Sequence, residues 1–496
     1  MAISSLGSTT NPVVQSLLDM RTQFDDLSRQ LSSGQKSVDY AGLGVGSGLS
    51  VNLNSQLSAI TGYDNTIDMA STRINLAQNV LGQISNISST LSSSLANGNA
   101  SSGNVNIAQY TAQSSLQQLV SLLNTQAGNR YLFSGLATDQ SSVESYDHIL
   151  NGDGARAGLT QLISERTQAD YGTNGLGRLN ITAPTSTSVQ IAEDSTSPFG
   201  FKLGSVSSSL SNATVTGPSG APPGLSVSFT GQPNDGEKFN LSLTLPDGST
   251  QNITLTATTT SPPAANQFLI GASLAATASN LQSALTSTIS NQANTSLKAA
   301  SAVKASNDFF GADSSNPPQR VVGPPFDTAT SLTTGTTANT VIWYTGENGA
   351  GTARSTATAR IDPSLVVSYG LRANETGIRT VVQNVATLAA VTISQSDPNA
   401  QALASALDQR LANNLSSSSQ SVSDIEAELA GAQTSMQTMK SNHQQTSTTL
   451  QNMLQQITGV SNEEVGSEIL ALQTRMQASM QTTAMLYQTN LVNYLK

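Results

Sequence analysis

Apolar residues recur at alternating three- and four-residue steps near both ends of this 496-residue chain, and that pattern constrains the fold more than any other feature. Such a heptad stripe marks a helix that buries one edge against a helical partner. The first run is Val13, Leu17, Met20, Phe24, Leu27 and Leu31, with Asn11-Pro12 ahead of it as N-cap and first helical position. The second is Ile60, Tyr63, Ile67, Ala70, Ile74, Ala77, Leu81, Ile84, Leu91 and Leu95, with Ser88 the lapse. A third, Ala112, Leu116, Leu119 and Leu123, leads into "NRYLFSG", Asn129 to Gly135. Far along the chain, Leu411, Leu415, Val422, Ile425, Leu429, Ala432, Met436, Met439, Leu450, Met453, Ile457 and Val460 keep the spacing. The polar lapses in this run are His443 and Thr446; a polar residue in such a seam sets register at a cost in stability. One unbroken helix from Leu411 to Val460 would be about 75 Å long. Ser461 and Glu464 then make a capping-box pattern before Val465, Ile469, Leu472, Met476, Met480, Ala484, Tyr487, Leu491 and Leu495. An apolar edge carried to Leu495 is expected to need a partner, since chain ends are usually polar and frayed.

Between the ends, roughly residues 180–367, the period changes. "LSLTLPDGSTQNITLTAT" reads as a β-hairpin: Leu241, Leu243 and Leu245 alternate with polar residues, Pro246-Asp247-Gly248 turns, and Ile253 and Leu255 resume. "VSVSFTGQPNDGEKFN" predicts another strand pair around Asp235-Gly236, and a short helix is expected over about Leu274 to Ile289. Proline pairs at 222–223, 262–263, 317–318 and 324–325 mark loops, and "TVIWYTGE" and "LVVSYG" read as strands. The fold class expected is α+β: long helical coiled-coil arms at 1–140 and 371–496, a connector at 141–180, and an inserted β-rich region of one or two small domains at 181–370. The glycine-rich "YAGLGVGSGLS" after the first helix matches no phosphate-loop spacing and is expected as a flexible connector.

Charge excludes one class of partner. Lys and Arg number 21 against 31 Asp and Glu, so the net charge of −10 gives no basic footprint for nucleic acid. Only 10% of residues are charged, and Ser, Thr, Asn and Gln carry the polarity instead. Such a surface suits a protein that packs against copies of itself, with a secreted Ser/Thr-rich protein as the alternative. There are no cysteines, which removes disulfides and thiolate chemistry. The opening "MAISSLGSTTNP" lacks the basic and apolar regions of a secretory leader. No run approaches the roughly 18–20 apolar residues that span a bilayer. The expectation is a cytosolic protein or one exported without a cleaved leader.

Candidate chemistry is sparse. The two histidines, His148 and His443, have no metal-binding or catalytic context; His148 in "SYDHILNGDG" reads as a solvated loop residue and His443 as a packing residue. "NGDGARAG" from Asn151 lacks the acidic spacing of a calcium loop. Glu463-Glu464 and Asp25-Asp26 suit helix starts or solvated faces. No catalytic, cofactor or metal residues are assigned.

The ends carry a resemblance. "LSRQLSSGQK", Leu27 to Lys36, is similar to an "LSSG" or "LSTG" segment followed by a basic residue in the bacterial flagellin family. "GNRYLFSGLATD", Gly128 to Asp139, resembles the "GRYLFSG-x-x-T" segment most typical of the family's hook–filament junction branch. "LQTRMQASMQTTAMLYQTNLVNYLK" resembles the family's C-terminal helix. Together these cover roughly residues 1–140 and 400–496. The chain departs where the family usually follows "LSSG" and its basic residue with Asn and then an Asp-Asp or Asp-Pro pair, because "SVDYAGLGVGSG" stands there instead.

The resemblance implies a structural axial subunit of the extracellular flagellum, not an enzyme. It implies passage unfolded through the flagellar type III export apparatus and polymerisation through paired terminal helices that line a tube, with the insertion facing outward. The implied partners are copies of the chain itself and hook-side and filament-side axial proteins, with no nucleic acid, membrane or cofactor. Residues expected to pack in assembly are Leu17, Phe24, Leu31, Ile60, Ile67, Ile74, Leu81, Ile425, Leu429, Met436, Ile469, Leu472, Leu491 and Leu495. Arg130, Tyr131, Phe133 and Gly135 are expected to anchor the insertion against the coiled coil. The readings that compete are a filament subunit, a secreted coiled-coil adhesin binding through its β middle, and an enzyme sited in the insertion.

Overall fold

Helices occupy both ends of the chain in the computed structural model, which describes residues 6–97 and 105–494. In order they are α1 Leu6–Ser33, α2 Ser47–Ala96, α3 Val105–Leu123, α4 Tyr146–Asn151, α5 Leu159–Tyr171, α6 Leu274–Gln292, α7 Lys298–Phe310, α8 Thr376–Ala390, α9 Ala400–Ser416, α10 Val422–Thr458 and α11 Asn462–Tyr494. The chain is 54% helix and 17% strand, and the two larger sheets lie in its middle, so the class is α+β. It divides into two compact units, one of residues 1–71, 359–367 and 434–496, the other of 72–358 and 368–433.

In the first unit α1 and α11 lie side by side. Val465 and Leu472 are buried, and Leu17, Met20, Phe24, Leu27, Ile469 and Met476 are half-buried, as a single-edged stripe requires. Pro12, expected at the first turn, lies inside α1; its missing N–H removes one helical hydrogen bond without ending the helix. The glycine-rich stretch is not a plain connector: Tyr40–Gly46 is a 3₁₀ turn in which only Gly44 leaves helical dihedrals, and α2 starts directly after it. α2 has 50 residues, about 75 Å of helix, and α10 has 37, about 55 Å.

The C-terminal seam is therefore shorter than the 411–460 expected. Leu411 belongs to α9, and the chain breaks at Ser417–Ser421 because the start of α10 is capped from both sides. Ser421 Oγ accepts from the Asp424 N–H at 3.2 Å, and Asp424 Oδ2 accepts from the Ser421 N–H at 2.8 Å. Past His443 the covered edge runs through Leu450, Leu454 and Ile457, leaving Met453 exposed.

The second unit holds the sheets. Its strands are β1 Gln126–Ala127, β2 Arg130–Tyr131, β3 Leu179–Thr182, β4 Ser188–Glu193, β5 Lys202–Ser208, β6 Ala213–Ser219, β7 Gly224–Phe229, β8 Lys238–Thr244, β9 Thr250–Thr258 and β10 Gln267–Leu269, followed by a two-stranded pair of β11 Gln319–Val321 and β12 Leu332–Thr334. One sheet has the order β10-β9-β8-β5, the other β3-β4-β7-β6. The hairpin around Gly248 forms as the alternation predicts, with Leu241 opposite Ile253. The strand pair expected around Asp235-Gly236 does not: β7 pairs with β4 and β6, and β8 with β5 and β9, so that turn passes between sheets. Both sheets and α6 share one core containing Phe201, Phe229, Phe239, Phe268, Leu281 and Leu285.

The segment 141–180, expected as a connector, contains α4 and α5; α5 packs on α7 and buries Leu159, Leu162 and Ile163. Its charges are buried in pairs: Arg166 Nε donates to Asp170 Oδ2 at 2.8 Å and Arg320 Nε to Glu165 Oε2 at 2.9 Å. Burial raises the Asp170 carboxyl above its usual range, and the Arg166 guanidinium opposes that shift. "TVIWYTGE" is not a strand; it makes isolated bridges from Thr340 to Ala157 and from Tyr344 to Val143. Trp343 is instead a core residue whose Nε1–H donates to the Phe310 carbonyl at 3.0 Å. "LVVSYG" does contain a strand, Leu365–Ser368. α8, at the start of the expected C-terminal arm, is buried nearly all round and packs on α3 and α7, as a globular-core helix does.

Candidate assembly surface and the helix-to-domain clasp

Two local signals close the turns of the first unit. α1 ends at Gly34, whose φ of +66° is the left-handed conformation a helix C-cap uses, and its N–H donates to the Gln30 carbonyl at 2.8 Å. The next residues pair with the α10–α11 turn: the Lys36 N–H donates to the Thr458 carbonyl at 2.7 Å and the Val460 N–H to the Gly34 carbonyl at 3.1 Å. "LSSGQK" thus ties the two chain ends by backbone. α11 then starts with the Ser461 hydroxyl accepting from the Glu464 N–H at 3.3 Å, one half of the expected capping box.

α2 and α10 run antiparallel, read from their polar contacts. In the first unit Asp64 meets His443, Asp68 meets Lys440, and the Ser71 hydroxyl points at Met436 Sδ. In the second, Gln433 Nε2 donates to Asn75 Oδ1 at 2.7 Å. His443 Nδ1 lies 2.7 Å from Asp64 Oδ1, the residue is buried, and its ring tilts against Tyr63. A polar pair at that depth makes a shifted register costly, since each slip strands one partner. The residues expected to pack are placed as follows: Ile67, Ile74, Leu81, Ile425, Leu429, Met436 and Leu472 are buried within the chain, and Leu17, Phe24, Ile60 and Ile469 are half-buried. Leu31 is exposed, one turn from the end of α1. The side chain of Leu491 and all of Leu495 lie outside the described residues. Large apolar side chains that sequence spacing missed stand in solvent, among them Leu18 at 53%, Met69 at 62% and Leu470 at 66% exposed. They fall off the seam, which is why heptad counting passes over them.

"NRYLFSG" makes a clasp in the second unit. β1 and β2 form a minimal hairpin, and the chain then bridges to Arg372, far along the sequence. The Ala373 N–H donates to the Phe133 carbonyl at 2.8 Å, the Gly135 N–H to the Leu371 carbonyl at 3.1 Å, and the Glu347 N–H to the Ser134 carbonyl at 2.9 Å. The Phe133 ring is fully buried. Arg130, Tyr131 and Leu132 line a cavity of about 50 Å³ with Arg73, Ile74 and Ala77 of α2, Arg130 being otherwise exposed. Gly135 has φ +65°, and a Cβ there would come within 2.9 Å of Glu347 Oε2 and 3.3 Å of Arg372 Nε. Those two groups are joined by an Arg372 Nη2–Glu347 Oε2 contact of 2.6 Å. Gly135→Ala is expected to cost about 1–2 kcal/mol from backbone strain alone, and more once the ion pair is displaced. Urea unfolding checks this; a midpoint equal to that of the unaltered chain would contradict it.

Elsewhere the polar groups serve structure. His148 lies in α4, not a loop, because Ser145 caps that helix, and its Nδ1 is 3.1 Å from Glu144 Oε2. In "NGDGARAG", Asp153 accepts from the Ala155 and Arg156 backbone and from Arg156 Nε, which holds its carboxyl down at about 2. Among the described residues no group of three or more His, Asp or Glu could hold a metal ion, and no helix is long and apolar enough to cross a membrane.

Helices from the two chain ends pair and are clipped at their turns, and an α+β region is inserted between them in the sequence. Residues 8–138 match the family model described as the bacterial flagellin N-terminal helical region. That match spans α1, α2, α3 and the clasp to Thr138, so the N-terminal part of the chain is similar to that region of bacterial flagellins. Comparison with curated proteins and with solved structures gave no match.

Proposed function

We propose that this chain is an axial subunit of the hook–filament junction, resembling hook-associated protein 3, which polymerises or forms a ring through its terminal helices. The observation that carries the assembly reading is the apolar surface left over on α1, α2 and α11 after their seams are closed: Leu18, Met69 and Leu470. Single exposed leucines are ordinary, but a set spread along rods from both chain ends suits lateral packing between copies. The low charge of the chain, 10%, limits repulsion between such neighbours. Within this reading the inserted region 181–370 faces outward, and hook-side and filament-side axial proteins are the partners. The chain reaches the extracellular flagellum through the type III export apparatus. The junction assignment rests on the "GNRYLFSGLATD" segment.

Electron microscopy of a strain lacking this gene tests the assignment. Complete hooks without filaments, with flagellin released to the medium, are the expected result. Filaments that are merely shortened would make the chain a filament flagellin, and unchanged flagella would favour a secreted adhesin.

A further inference from the structure

A cleft of about 700 Å³ opens in the second unit between the C-terminal part of α2, α3, α8 and α9. Half of the residues that line it are apolar, Ile87, Leu91, Ala112, Val385 and Leu388 among them, and most of the others are serines and threonines. Asp408, on α9, is the one ionisable residue that lines it. That residue is 4% exposed, and its Oδ2 has no hydrogen-bond partner among the described residues. Other buried carboxylates of this unit, such as Asp170 and Glu165, face arginines. Desolvation pushes the Asp408 carboxyl up to about 6, so it is mostly ionised at neutral pH yet has no counter-charge among the described residues. A buried carboxylate in that state is unfavourable until a cation pairs with it.

We propose that this cleft is a binding site for a small amphipathic cation, an apolar body carrying one primary ammonium group that pairs with Asp408. The volume is that of a small-molecule cleft. The walls take the hydrocarbon, and the ammonium supplies both the opposite charge and three donors to a carboxylate that has none. Thr111 and Ser115 on α3 also line the cleft and add hydroxyl oxygens for the remaining donors. The inference is independent of the assembly reading: it concerns one unit of one copy and holds whether or not the chain polymerises.

Calorimetric titration of the full chain at pH 7 with n-hexylammonium, n-hexanol and hexanoate tests it. The expected result is 1:1 binding of hexylammonium at least tenfold tighter than hexanol, with hexanoate weakest. Protonation of Asp408 should weaken hexylammonium binding by about tenfold between pH 7 and pH 5, because a group with a pKa near 6 loses about nine-tenths of its ionised form over that interval. Asp408→Asn should remove both the preference for the ammonium and this pH dependence. That variant is expected to keep the fold, which its circular dichroism would show. Methyl NMR shifts caused by hexylammonium should centre on Ile87, Leu91, Val385 and Leu388. No binding at millimolar hexylammonium, equal affinity for ammonium and alcohol, an unaltered preference in Asp408→Asn, or shifts centred elsewhere would each overturn the proposal.

Discussion

Phe133→Ala is expected to lower the unfolding free energy of the second unit by about 3–5 kcal/mol, the range for deleting a buried phenylalanine ring. The ring is fully buried, so its removal leaves a cavity as well as losing apolar burial. The effect extends beyond the ring, because the backbone on either side of it is the clasp. The Phe133 carbonyl accepts from the Ala373 N–H, and Ser134 bridges to Arg372. A loosened ring therefore frees a strand-like contact between segments more than 200 residues apart in the chain. Urea unfolding followed by fluorescence of Trp343, the only tryptophan, reads the change. Leu132→Ala, at a half-buried neighbour, provides the smaller control effect. Equal stability of Phe133→Ala and the unaltered chain would dispose of the anchoring role for this segment.

Removal of roughly the last 30 residues, from Ser467 onward, is expected to abolish assembly while leaving the second unit folded. The truncation takes away Ile469, Leu472 and Met476, the covered edge of α11 against which α1 lies. Each fully buried aliphatic side chain is worth about 1.5–3 kcal/mol, so α1 loses most of what holds it in place. The second unit, residues 72–358 and 368–433, includes none of the deleted segment. Sedimentation and electron microscopy should find no polymer above background, and thermal melting should retain the transition of the sheet core. Polymers of normal yield from the truncated chain would refute assembly through the terminal helices. Retained binding to a host surface by the same truncation would point to the adhesin instead.

Several elements were legible because their signals are local. The stripe from Ile60 to Leu95 specifies a helix that must cover one edge, and α2 buries Ile67, Ile74, Leu81 and Ile84 on that edge. The alternation around Gly248 fixes a hairpin whose two strands need no other information. The α10 cap was equally local: Ser421 and Asp424 stand at capping-box spacing, and weighing that pair would have ended α9 before Val422. His443 was readable as a register residue from its place in the seam, whereas its partner Asp64 was not, since a heptad pattern does not state which helix lies opposite.

What the sequence by itself determined is the periodicity of the long helices and of the Gly248 hairpin, and hence helical ends around a β-rich middle. These depend on near neighbours along the chain, where spacing and capping act directly. Only the tertiary structure decided what each segment meets. It placed "NRYLFSG" on Arg372 and Glu347, paired β7 and β8 with strands of different sheets, made α5 a buried helix whose carboxylates face arginines, and left Asp408 facing none. Apart from Arg166 and Asp170, four positions apart on α5, and the local β8–β9 hairpin, those pairings join residues tens to hundreds of positions apart. Their free energy comes from complementary surfaces that exist only once the chain has closed on itself, so no local pattern could carry it.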